Sequence, residues 1–285
     1  MAELLYGAPV AERLNEKIIN DVKALTEKGI NPCLAIVRVG ESPDDLAYEK
    51  SLISRGAKTG IEVKTIVLPE DVEKDVFQKA ILDLNEDSSV HGVLVFNPLP
   101  KQLDGEFVKE NLSPLKDVDG NTYGSLAGVF TDSNKGFPPC TAEAVMEILD
   151  FYGINPEGKK VAVVGRSLVI GKPVAMMLMK KNATVVNCHR KTPDIPAITK
   201  EADIVICAMG ALRKIDESYV REGQIVIDVG TNWDEEIGKI AGDADFDKVE
   251  PIVSKITPVP GGVGTVTTTV LMNHVVRAAE KQIKG

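Results

Sequence analysis

Short β-branched runs alternate with helical stretches along most of the chain, and that alternation narrows the fold more than any other feature. CLAIVRVG (33–40), EVKTIVLP (62–69) and VHGVLVFNPLP (90–100) are apolar runs closed by Gly or Pro, which reads as strands. Between and before them the period changes. Val10, Leu14, Ile18, Val22 and Leu25 recur at helical spacing until Gly29 stops the helix. Ser42-Pro43-Asp44 opens a second helix that runs through Tyr48 to Lys58 and ends at Gly60, and 72–85 is a third. Strands that are apolar on both faces and separated by helices pair in parallel, because a hairpin cannot connect them. The rhythm restarts after a helix at 141–151 with Thr141 as its N-cap. Strands are expected at 159–165, 183–189, 202–208 and 224–230, with a helix at 171–181. A Pro/Gly loop, TPVPGGVG (257–264), precedes a last helix at 265–283. The expectation is an α/β protein of two α/β domains, with the boundary near Pro138–Thr141.

Charge and cysteine usage exclude several function classes. Forty-two acids against 33 bases leave a net charge of −9, poorly suited to a phosphate backbone, so neither nucleic acid nor a membrane surface is expected as a partner. Cys33, Cys140, Cys188 and Cys207 form no CxxC pair, which argues against a disulfide framework and a zinc site; no metal is expected. Reduced thiols fit a cytoplasmic location. The segment MAELLYGAPVAERL has no basic stretch followed by an apolar one, and no run of 18 apolar residues occurs, so neither a secretory signal nor a membrane span is expected.

The stretch VAVVGRSLVIG (161–171) carries the first chemical signal. An apolar strand runs into Gly165, and Gly171 stands near the start of the next helix. Glycine lets backbone approach a pyrophosphate, and a helix N-terminus offers free N–H groups to the anion. The spacing departs from GxGxxG, and a plain strand–turn–helix junction would use the same residues. The next strand ends Cys188-His189-Arg190-Lys191, without the acid that holds the ribose hydroxyls in many NAD sites. Arg190, with Arg166 in the first turn, offers a planar fork for a 2′-phosphate, which points to NADP; a solvated surface arginine is the plainer alternative.

Taken in order, VHGVLV (90–95), NPLP (97–100), KDVDGN (116–121), PPCTAEAV (138–145), VVGRSLVIGKPVA (163–175), ATVVNCHRKT (183–192), IDVGTN (227–232) and TPVPGGVG (257–264) resemble one family. It is the methylenetetrahydrofolate dehydrogenase/cyclohydrolase family, and the likeness, which includes Tyr48, covers nearly the whole chain. The resemblance implies a homodimer with two α/β domains around a cleft. Residues 1–140, completed by a returning helix at 266–285, would bind folate, and 141–265 would form a Rossmann-like NADP domain. It implies tetrahydrofolate one-carbon derivatives as substrates and NADP as cofactor. Tyr48 would position the folate ring system, Asp119 would bond the pterin, and Pro260, Gly261 and Gly262 would shape the folate pocket. Gly165, Arg166, Ser167, Gly171, Arg190 and Thr231 would form the dinucleotide site. A carboxylate suits the amino and ring N–H groups of a pterin, although Asp119-Gly120 also reads as a turn pair.

Two positions depart from the family pattern. The family places a lysine four residues after the tyrosine and assigns it to the cyclohydrolase step; here that position is Leu52. The family strand reads GxLVQLPLP, and its glutamine is replaced by Phe96. Lys50 lies two residues from Tyr48, nearly on the opposite helix face, and Arg55 shares the face but stays protonated. The expectation is a dehydrogenase with weak or absent cyclohydrolase activity. The alternatives are an ordinary bifunctional enzyme and an inactive folate- or NADP-binding regulatory protein.

Overall fold

The computed structural model describes residues 1–133 and 135–284. The chain divides into two compact units, one of Met1–Glu12 with Cys140–Thr267 and one of Arg13–Pro139 with Thr268–Gly285. Gly285, the end of the expected returning helix, lies outside the described residues.

In chain order the elements begin with β1 (Glu3–Leu4), α1 (Gly7–Thr26), β2 (Cys33–Val39), α2 (Pro43–Thr59), β3 (Glu62–Leu68), α3 (Lys74–Glu86) and β4 (Gly92–Val95). They continue with α4 (Gly105–Asn111), α5 (Tyr123–Phe130), α6 (Cys140–Phe151), β5 (Lys160–Val164), α7 (Gly171–Lys180), β6 (Thr184–Cys188), α8 (Ile195–Lys200) and β7 (Ile204–Cys207). The last are β8 (Ile225–Asp228), β9 (Asn232–Asp234), β10 (Lys239–Ala241), α9 (Phe246–Val249), β11 (Lys255–Ile256) and α10 (Val263–Lys284).

The unit built on residues 13–139 holds a parallel sheet in the order β3-β2-β4. β2 is buried along nearly its whole length, as a central strand covered on both faces must be. Cys33, Ala35 and Val37 of β2 pack with Phe77 and Ile81 of α3 and with Val93 and Val95 of β4. β4 is shorter than the 90–100 run suggested. Phe96 N–H still reaches Val37 O at 3.0 Å, but Pro98 has no N–H to continue the ladder.

The other unit holds six strands in the order β1-β11-β8-β7-β5-β6, each pair parallel. Residues 1–12, grouped by the sequence reading with the first domain, belong here because β1 pairs with β11. α6 starts at Cys140, one residue early, which puts Thr141 inside the first turn instead of at the cap. Ala162 and Val164 of β5, Val205 and Cys207 of β7 and Val226 of β8 form one buried cluster with Ala244, Val249 and Ile256. The order places β5 between β6 and β7, so the direction of winding reverses at β5. In open parallel sheets ligands bind at the carboxyl ends of strands beside such a reversal.

Candidate functional site

The first cluster lies in the 13–139 unit. Ser42 Oγ accepts the Asp45 N–H at 3.2 Å and Pro43 fills the first turn, so α2 starts where the sequence expects. Gly60 ends it in the left-handed region, φ 79°. Tyr48 and Leu52 stand one turn apart on this helix. Tyr48 is 40% exposed and Leu52 is 0% exposed. Phe96, just past β4, stacks on the Tyr48 ring with centroids 5.3 Å apart and planes 29° apart. Two stacked rings make an apolar shelf, one of them open to solvent. Arg55, two turns from Tyr48, donates from Nη1 to Thr269 Oγ1 at 2.7 Å; burial lowers its pKa from an ordinary value so high that it stays a cation. Lys50 is exposed.

The KDVDG segment is held at almost every residue. Lys116 Nζ donates to Leu84 O at 2.8 Å and Asp87 O at 2.6 Å, closing the C-terminal end of α3. The buried Asp117 carboxylate accepts from Gly120 N at 3.0 Å, Asn121 N at 3.2 Å and Thr122 N at 2.7 Å. Val118 O accepts from His274 Nδ1 at 2.8 Å. Gly120 has φ 75°, and a side chain there would sit 2.4 Å from Pro138 backbone. The turn expected at Asp119-Gly120 is therefore present, but the carboxylate that builds it is Asp117. Asp119 is half-buried and accepts from Asn121 Nδ2. The sequence favoured the wrong aspartate for the turn, since Asp119 stands next to Gly120 and Asp117 three positions before it.

The dinucleotide candidates lie in the other unit, at the carboxyl end of β5. Gly165 has φ 141°, and a Cβ there would sit 2.0 Å from Ala208 O. A Cβ on Gly171 would sit 2.2 Å from Gly165 O. Both glycines are thus fixed by close backbone approach, and larger residues would force the turn open. Asn187 Nδ2 donates to Gly165 O at 2.6 Å and Val163 O at 3.0 Å, a tether the sequence reading missed. Ser167 Oγ accepts Ile170 N–H at 3.2 Å and leads the chain into α7. Arg166 and Ser167 are exposed in this turn. Arg190 is exposed just past β6, in a turn closed by Thr192 Oγ1 on His189 N at 3.0 Å. The nearest acid downstream, Asp194, is engaged elsewhere: it accepts Ala197 N–H at 3.3 Å and caps α8. The structure therefore brings Gly165, Arg166, Ser167, Gly171 and Arg190 to neighbouring strand ends.

Thr231 is exposed just past β8. Pro260, Gly261 and Gly262 form the turn before α10, also in this unit. Gly261 has φ 107°, and Gly261 O accepts the Gly7 N–H at 2.8 Å. A Cβ on Gly7 would lie 2.2 Å from Gly262 O, so the two glycine-bearing segments are packed backbone to backbone. Among the described residues no cluster of three His, Cys, Asp or Glu side chains could hold a metal, and no helix is long and apolar enough to cross a membrane.

Two family models cover the chain. Residues 5–119 match the catalytic domain of tetrahydrofolate dehydrogenase/cyclohydrolase, and residues 139–283 match its NAD(P)-binding domain. The bifunctional protein FolD of Carboxydothermus hydrogenoformans is 49% identical over 281 residues, spanning 98% of each chain. That of Clostridioides difficile is 45% identical, spanning 98% of this chain and 97% of its own. Among solved structures, the bifunctional FolD of Campylobacter jejuni superposes with a TM-score of 0.95 at 38% identity, over 99% of this chain and all of its own (100%). The Trypanosoma brucei dehydrogenase–cyclohydrolase, solved with NADP and an inhibitor, superposes with a TM-score of 0.91 at 31% identity, over 100% of this chain and 99% of its own. The chain belongs to the tetrahydrofolate dehydrogenase/cyclohydrolase family.

Proposed function

We propose that the chain is an NADP-dependent methylenetetrahydrofolate dehydrogenase of one-carbon metabolism. The observation that carries this reading is the turn at the end of β5, where Gly165 and Gly171 leave no room for a Cβ and two exposed arginines flank it. Backbone there can lie against a pyrophosphate. Arg190 and Arg166 can take a 2′-phosphate, and Asp194, which could have repelled it, is committed to a helix cap. The solved Trypanosoma brucei relative with NADP bound supports the cofactor choice.

When bound, NADP would supply the redox chemistry, as acceptor of the hydride that leaves the methylene carbon. The protein contributes placement. Tyr48, 40% exposed on its Phe96 support, offers a face to a flat folate ring. Asp119 presents its carboxylate to pterin donors from a loop already fixed by Asp117 and Lys116. Thr231 and the Gly165 turn hold the dinucleotide. We assign folate binding to residues 13–139 with the end of α10, and dinucleotide binding to 140–267. By the same resemblance the protein is a cytoplasmic homodimer.

For methenyl hydrolysis, the names of the relatives support the bifunctional reading, and we place it first. A second reading rests on two buried apolar side chains, Leu52, 0% exposed, and Phe96, which stand where the resemblance places the family's cyclohydrolase lysine and glutamine. Hydrolysis adds water and needs proton transfers, typically worth 10²–10⁴-fold, and neither side chain can carry a proton. On this reading the second activity is strongly reduced. Purified protein assayed separately for NADPH formation from methylenetetrahydrofolate and for methenyl disappearance decides both points. No NADPH formation sinks the dehydrogenase reading. Hydrolysis well above the buffer rate sinks the second reading and leaves the bifunctional one.

A further inference from the structure

Two buried aspartates that the dehydrogenase reading does not use organise the loops at the carboxyl ends of β7 and β8. Asp243 is 0% exposed and Asp228 is 3% exposed, and among the described residues neither forms an ion pair. Their oxygens face backbone N–H groups instead. Asp243 accepts from Met209 N at 2.5 Å, Gly210 N at 3.1 Å and Ala211 N at 2.8 Å, all in the loop after β7. It also accepts from Asn232 Nδ2 at 3.0 Å, one residue past Thr231. Asp228, the last residue of β8, accepts from Gly230 N at 2.9 Å, Asp243 N at 3.1 Å and Ala244 N at 2.8 Å. The backbone is shaped around the two carboxylates. A Cβ on Gly242 would lie 1.9 Å from Asp228 Oδ2, and one on Gly230 would lie 2.5 Å from Asp243 Cγ.

Six backbone donors and one amide therefore converge on two carboxylates, and the segment 229–232 is gripped from both sides with exposed Thr231 at its tip. A loop without a core of its own would otherwise be mobile, and ordering it at each binding event would weaken affinity. Stability alone does not call for this arrangement, since buried carboxylates are costly and apolar packing would serve as well.

We propose that Asp228 and Asp243 are positioning residues for the dinucleotide, holding the Thr231 segment and the 209–211 loop in the conformation that receives the nicotinamide half. This rests on the reading that the 140–267 unit binds NADP. The grip lies beyond β7 and β8, on the other flank of β5 from Arg190. It therefore acts on the part that NADP and NAD share, and leaves the 2′-phosphate contact alone.

The test compares wild type, Asn232→Ala and Asp243→Asn by NADPH and NADH binding, read from nicotinamide fluorescence, together with the folate KM of the full chain. Asn232→Ala removes one donor from a half-buried side chain and leaves both carboxylates in place, so it keeps the test open if Asp243→Asn fails to fold. Loss of a hydrogen bond to a charged group predicts about a tenfold weaker Kd. The expected result is that loss for NADPH and NADH alike, an unchanged ratio between them and an unchanged folate KM. Unaltered binding by folded Asn232→Ala, or a change in the NADPH/NADH ratio, overturns the proposal. Failure of the wild type itself to bind NADPH overturns the dinucleotide reading instead.

Discussion

Restoring a lysine at position 52 tests whether the apolar shelf excludes hydrolysis. The perturbation is Leu52→Lys, alone and with Phe96→Gln. Leu52 is fully buried at 0% exposure, so the new amine enters a site that has lost its water. Burial can lower a lysine pKa by roughly 3–5 units. Keeping the amine neutral at pH 7 costs about 1.4 kcal/mol for each unit below its usual 10.4, or about 4–5 kcal/mol. That is a large fraction of a typical fold stability of roughly 5–15 kcal/mol. Phe96 offers no acceptor to offset it, whereas glutamine at 96 offers an amide oxygen, and one hydrogen bond to the neutral amine returns about 0.5–1.5 kcal/mol. The single variant should therefore melt well below wild type, and the double variant should recover part of the loss. In function, a positioned amine is worth roughly 10²–10⁴-fold in proton transfer. The assay follows methenyl absorbance against the buffer rate, with NADPH formation measured in parallel. The double variant should hydrolyse at least about a hundredfold faster than wild type, and the single variant less. A folded double variant with no gain, or a wild type already hydrolysing at that level, would refute the reasoning.

Three further outcomes are expected. Arg190→Asp should raise the NADP KM by about tenfold or more while leaving NAD use nearly unchanged, because it places a carboxylate where the 2′-phosphate would sit; steady-state kinetics with both cofactors check it, and equal losses defeat it. Asp119→Ala should raise the folate KM strongly without lowering Tm, since Asp117 builds the turn; Asp117→Asn should raise the same KM and also lower Tm, and unchanged folate kinetics in both would return the motif to a purely structural role. Burial pushes the Asp228 carboxyl up to about 7, against the hydrogen bonds that favour its charge. A raised folded pKa means the native state holds a proton that the unfolded chain has released. The stabilisation is complete below the unfolded pKa and is lost as pH rises through about 7. Relative to Asp228→Asn, wild type should gain about 1.4 kcal/mol per pH unit on going from pH 7 to pH 5; parallel denaturation curves at both values would contradict this.

The strands and the longer helices were legible because their signals are local. β-branched runs between glycines and prolines, the Ser42-Pro43 start of α2 and the Gly60 stop each act over a few residues. Short helices were less visible. α4, α5 and α8 span 7, 8 and 6 residues, too few for a periodicity to emerge, although their caps Asp104, Thr122 and Asp194 stand in the sequence. The β9–β10 hairpin and the two-residue strands β1 and β11 left no mark, since pairing of residues 3–4 with 255–256 is a tertiary fact. Among the candidate site residues, Gly165, Arg166 and Arg190 were proposed from the strand–turn–helix pattern. Asp119 was readable only through resemblance, and Asp228 and Asp243 were passed over. An acid ending the apolar run Ile225–Asp228 was a visible oddity, but two of its three backbone partners lie 15 and 16 residues away.

The pairing of β1 with β11 has a consequence for how the chain is made. Glu3 N–H bonds Ser254 O at 2.9 Å and Leu5 N–H bonds Ile256 O at 2.8 Å, so the strand at residues 3–4 waits for the one at 255–256. At roughly 5–20 residues per second, ribosomal elongation imposes a delay of roughly 10–50 s before that edge can close. Until then Leu5, 0% exposed in the finished fold, has no native neighbour on that sheet. The same geometry governs dissection of the gene. A fragment beginning at residue 140 would carry β11 as an uncovered sheet edge, a template for pairing with other chains. Appending residues 1–6 after the end of such a fragment, or supplying them as a peptide, would restore the missing rung.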